Sequence, residues 1–223
     1  MNVIVPNHLN EITLGQYQHF LRLEGDEEFL SKKMIEIFCG MKMDLIQKMK
    51  VSSIGKISKI LTKMLQEKAE FKPTFKLGEQ EFGFIPILED ITFGEMHDLD
   101  QTMSDWQRMN EAMCVLFRPI EQKMGKRYRI KEYDGKMDLA ETMKQMPMDV
   151  VMGAVVFFCN LGIDLSAAFL RSLAKKEGIS TIPLRDNSPN DGDGFPYSIL
   201  SQMEMQQNLT KHQNYPLHSP SPF

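Results

Sequence analysis

Apolar side chains recur at spacings of three and four over most of the first 176 residues, the period of helices packed on one face. Leu30, Met34, Ile37, Phe38 and Met41 predict one such helix, with Gly40 near its end. Ile54, Ile57, Leu61, Met64 and Leu65 predict another, opened by Ser52 or Ser53. The most regular stretch covers residues 93–117. There Met96, Leu99, Met103, Trp106, Asn110, Met113 and Phe117 form a heptad-type seam with one polar intruder, Asn110. The residue before a proline avoids the α region, so Arg118-Pro119 should end that helix.

Elsewhere the period changes. Residues 71–77 and 80–85 flank Gly78-Glu79 and read as a β-hairpin near 71–88, with Pro73 and Pro86 limiting its growth into a larger sheet. Residues 128–133 alternate like a short strand and end at Asp134-Gly135. A helix over 137–146 follows. Pro147 then opens the most apolar helix, about 148–160, where Gly153 and Ala154 would let a neighbour approach closely. A last amphipathic helix carries Leu165, Ala168, Phe169 and Leu173. Beyond it, residues 178–223 hold six of the eleven prolines among Asn, Ser, Asp and Gly, the composition of a tail rather than a domain. A weak helix over 198–208 is the one regular element that the tail offers. The expected fold is therefore mainly α with a small β-hairpin: a compact helical domain over 1–176 and a disordered, flexible tail over 177–223.

One phrase occurs twice. Ile12-Thr13-Leu14-Gly15-Gln16 returns as Ile91-Thr92-Phe93-Gly94-Glu95. Thr followed three residues later by Gln or Glu is a capping box: the hydroxyl accepts a free N–H of the first turn, and the longer side chain reaches back. The phrase marks two helix starts, the first running from Thr13 to Leu21 or Leu23 before Gly25 and Asp26 break it. Asp44 suggests a further short turn over Leu45 and Met49.

Composition narrows the function classes. The formal charge of −4 gives no whole-chain attraction to nucleic acid. Charge is nevertheless segregated: residues 42–76 are basic, 79–111 acidic and 118–136 basic again. Cys39, Cys114 and Cys159 lie in apolar stretches without metal-ligand spacing and read as reduced core residues. The longest apolar run, 150–159, is about half of the ~20 residues that a spanning helix needs. The 18 methionines suit either a core tolerant of Met or an adaptable partner-binding surface.

Chemistry is scarcely signalled. Glu95, His97, Asp98 and Asp100 crowd one helix start without ligands from elsewhere. Residues 186–194 resemble a calcium loop but place Asp191 and Tyr197 where Gly and Glu belong. No phosphate-binding loop, dinucleotide fingerprint or nucleophile elbow occurs. The expectation is a non-enzymatic protein with no catalytic residue, cofactor or metal.

The two capping phrases, the run Phe82-Gly83-Phe84-Ile85-Pro86 and on to Asp98-Leu99-Asp100, and Pro147-Met148-Asp149-Val150-Val151 resemble a family of tailed-bacteriophage proteins, the tail-assembly-chaperone-like genes. The resemblance covers about residues 8–175. It implies a largely helical protein of the infected host's cytoplasm that binds tape-measure and tube subunits before virion assembly. It carries over no catalytic residue. On that reading the partner surface would be the Met-rich seam: Met96, Leu99, Met103, Trp106, Asn110 and Met113, with the hairpin edge beside it. A structural virion component, such as a connector or ring subunit, is the alternative. A nucleic-acid-binding phage factor comes third, since few aromatics interleave the basic segments. No membrane partner is expected, and a homo-oligomer stays open.

Overall fold

The computed structural model describes residues 3–161. The expected helix around Leu165–173, the tail and its weak helix lie outside the described residues. After a 3-10 turn (Leu9–Glu11), four helices follow: α1 (Leu14–Leu21), α2 (Glu27–Phe38), α3 (Met43–Ile46) and α4 (Val51–Leu65). Then come β1 (Thr74–Leu77), β2 (Gln80–Phe84), α5 (Phe93–Thr102), α6 (Met109–Leu116), β3 (Phe117–Met124), β4 (Arg127–Ile130) and α7 (Ala140–Met143). A final helix, α8, spans residues 148–161.

Helix starts follow the local chemistry. Thr13 accepts from Gln16 N at 3.3 Å while Gln16 Oε1 accepts from Thr13 N at 2.9 Å, the reciprocal box. Thr92 and Glu95 repeat it at α5. Asp26 caps α2 by accepting from Phe29 N. Gly78 turns the first hairpin at φ +57°, a conformation that glycine adopts without strain.

The sheet exceeds the expected hairpin. Four antiparallel strands run in the order β1-β2-β3-β4, with β3 entering beside β2 after the α5–α6 excursion. Pro119 disguised this strand. It sits opposite Phe82, lacks a donor as proline must, and uses its carbonyl to accept from Lys131 N at 2.9 Å. A register irregularity between Ile120 and Gln122 then carries β3 from its pairing with β2 to its pairing with β4.

Beneath the sheet lies an aromatic layer. Phe75 stacks on Phe82, Phe117 meets Phe75 and Phe84 edge-on, and Phe71 stacks on Phe157 of α8. Gly153 makes this packing possible. A methyl group there would lie 2.4 Å from the Glu70 carbonyl oxygen, so the chain between α4 and β1 runs directly over α8. This is the close approach that Gly153 suggested. The helix expected over 137–146 shrinks to α7, because the carbonyls of Lys144 and Met146 turn outward to accept from Gly15 N and Leu14 N. Thr13 and Pro147 thereby pair as an isolated antiparallel bridge.

Candidate functional site

The seam over 93–117 is not one helix. α5 ends at Thr102, and Asp105 in extended backbone caps a 3-10 turn (Trp106–Arg108) before α6 begins. Gln18 of α1 stabilises the break: its Nε2 donates to Trp106 O at 2.9 Å and to Asn110 Oδ1 at 3.0 Å. Asn110 in turn donates to Ala140 O at 3.1 Å. The polar intruder thus ties α1, α6 and α7 together inside the core, as a buried amide requires.

Of the six residues expected at a partner surface, Leu99, Met103, Trp106, Asn110 and Met113 are buried. Trp106 meets Tyr17 edge-on at 5.3 Å between centroids. The seam therefore serves this fold as core, because the break folds both halves inward. Met96 alone of the six reaches solvent, at 36% exposure.

Met96 belongs to a different surface, at the start of α5. Phe93 is 87% exposed, and its ring stacks on His97 at 6.3 Å. Ile87, in the connection from β2, is also exposed. Phe93 and Met96, with His97 against the Phe93 ring, thus leave apolar surface exposed at this helix start. The capping phrase places Phe93 at the first helical position after Thr92, but position alone does not expose it: Leu14, its counterpart in the other copy, is fully buried.

That helix start is held from below by a buried polar lock. Glu95 Oε2 accepts from Thr92 N at 2.7 Å and from the Thr92 hydroxyl at 2.8 Å, while its Oε1 pairs with Arg118 Nη2 at 2.6 Å. The side chains are only 4% and 11% exposed. The Arg118 guanidinium lies over the Tyr133 ring at 5.8 Å, and the Tyr133 hydroxyl donates to the Asp98 carboxylate one turn beyond Glu95. Burial, then the Asp98 hydrogen bond, pushes the Tyr133 hydroxyl well above its ordinary pKa. The lock fastens α5 to β3 and to the segment after β4. Thr92 and Glu95 were legible as a capping box. Arg118 and Tyr133 were not, since only the β3–β4 hairpin brings them to α5.

No comparable seat for covalent chemistry stands out among the described residues. Burial raises Cys39 to about 11, Cys114 to about 12 and Cys159 to about 11, so all three remain thiols at neutral pH. Among the described residues no group of three or more His, Cys, Asp or Glu is placed to hold a metal ion. No described helix is long and apolar enough to cross a membrane. No family model, curated protein or solved structure matches the chain.

Proposed function

We propose that this chain is a non-enzymatic phage tail-assembly factor that holds an apolar segment of a tape-measure or tube subunit before assembly, in the host cytoplasm. The observation that carries this reading is the exposed Phe93–Met96–His97 cluster on a helix start that the Glu95–Arg118 pair keeps rigid. Covering a phenylalanine contributes about 1.5–3 kcal/mol, and a rigid aromatic loses little entropy when covered. Met96 beside it adapts to irregular partners. The phage context rests on the resemblance of the capping phrases and the Pro147 run.

Co-purification from infected cells tests the reading. The tagged chain should bring down tail subunits, and Phe93→Ala with Met96→Ala should weaken that capture at least about tenfold, near 1.4 kcal/mol. Capture unaffected by the double substitution would remove this surface from consideration. Mass spectrometry of purified particles separates the alternative: an assembly factor is missing from finished virions, whereas a connector or ring subunit is present at fixed copy number.

A further inference from the structure

Beyond its pairing with β2, the β3–β4 hairpin extends as an arm. Every residue from Glu121 to Arg127 is exposed, Met124 at the tip to 84%, and Gly125 turns the chain at φ +62°. The pairing Gln122↔Arg129, Lys123↔Tyr128 and Met124↔Arg127 sorts the side chains, because directly opposed residues share a face. On one face, Tyr128 packs against Gly83 and donates to Phe84 O at 2.9 Å. Lys123, opposite Tyr128, pairs with Glu81. The other face carries Gln122, Met124, Arg127 and Arg129, and Lys131 follows the end of β4 directly, its N–H donating to Pro119 O at 2.9 Å.

Arg127 and Arg129, at alternate positions of β4, stand about 6.7 Å apart, close to the step of successive phosphates along a nucleic-acid strand, and Lys131 comes two residues further on, just past the strand. Two of the three are arginines, whose planar fork grips phosphate oxygens in pairs. Their local anions hold them loosely. Arg129 lies 3.6 Å from Glu132 and Lys131 lies 3.7 Å from Asp134, in exposed pairs that are worth little in water. Glu121 is the remaining carboxylate on the arm, and no ion pair joins Arg127 or Lys126 to any described residue.

We propose that the β3–β4 arm binds the phosphate backbone of duplex nucleic acid, with Arg127, Arg129 and Lys131 on the phosphates and Met124 resting in the groove. A two-stranded ribbon fits the major groove, and apolar tip residues such as methionine also wedge into minor grooves. Duplex is favoured over single strand because the cationic face carries no aromatic ring for base stacking. The acidic segment over 79–111 is repelled by the same backbone, whereas the basic arm is drawn to it. This function is independent of the Phe93 surface.

The test is fluorescence anisotropy of a labelled random-sequence DNA duplex titrated with the full chain at several salt concentrations. Binding should be micromolar near about 50 mM salt and weaken steeply as salt rises. The triple variant R127A/R129A/K131A should lose at least about tenfold in affinity and reduce the log–log salt slope by about 2.7, or 0.9 per lost phosphate contact. Lys56→Ala, Lys59→Ala and Lys63→Ala together, on the exposed lysine face of α4, should leave binding unchanged. Flat titration of the wild type would overturn the proposal. So would an equal loss in the α4 variant, which would indicate diffuse charge, or displacement by polyglutamate as effective as by unlabelled duplex, which would indicate an acidic protein partner. Unchanged thermal unfolding of both variants confirms that folding is not the variable.

Discussion

Glu95 does two jobs with one carboxylate, capping α5 and neutralising Arg118 in a site that water barely reaches. Glu95→Gln keeps the shape and one acceptor oxygen but leaves a guanidinium buried without its counter-charge. The expected loss is about 3 kcal/mol, read from urea unfolding. Thr13→Ala, at the other copy of the phrase, should cost only about 1 kcal/mol, since Gln16 is uncharged. The same residue type can also act in opposite directions. Gly55 has nothing within 4 Å of where a methyl would go and sits inside α4, so Gly55→Ala should stabilise by about 0.5–1 kcal/mol. Gly153→Ala would drive its methyl into the Glu70 carbonyl and should lower the melting temperature clearly. Equal effects from the two would refute the packing described for α8.

At the level of elements, the break between α5 and α6 depends on a side chain from far away. Gln18→Ala would leave the Trp106 and Gln107 carbonyls and the Asn110 amide without their donor, a loss of about 2–3 kcal/mol. Hydrogen exchange should show that loss concentrated at residues 104–110. This is also where the chain was least legible. A seam of threes and fours stays in phase across a short break, so Leu99, Met103, Trp106 and Met113 imitate one continuous helix. Ser104-Asp105, a capping pair inside the seam, was the local sign of the interruption. Helices α1 and α2 and the β1–β2 hairpin were legible because cap, apolar face and turn agree there. Helix α4 was legible from its apolar face alone, since it starts at Val51 behind Lys50, whose side chain makes no cap, and Ser52 and Ser53, expected to open it, lie within its first turn. Strand β3 was hidden by Pro119, and the lock by the long-range pairing that assembles it. Exposure of Phe93 was equally hidden, since periodicity assigns an apolar residue to a face without saying whether that face is covered.

Across the whole molecule, the three thiols make stability sensitive to alkali. Their folded values, about 11 to 12, stand above the ordinary value of 9.0, so above that pH the unfolded chain holds fewer protons than the folded one. Stability is then complete below about pH 9 and falls as pH rises toward 12. Tyr133, also raised, adds to the fall above pH 10. Urea midpoints measured from pH 7.5 to 10.5 should decline, and Cys114→Ala should flatten the decline. A rise over that range would contradict the burial of the thiols. The bridge between Thr13 and Pro147 has a consequence of another kind, for the order of events on the ribosome. The first donors of α1, Leu14 N and Gly15 N, wait for carbonyls at Met146 and Lys144. Synthesis adds about 5–20 residues per second, so the amino-terminal helices spend many seconds outside the exit tunnel before their last partners emerge. The fold closes late, by joining α1 to residues near 147, and a nascent chain stalled short of that point presents α1 and its neighbours incomplete to cellular chaperones.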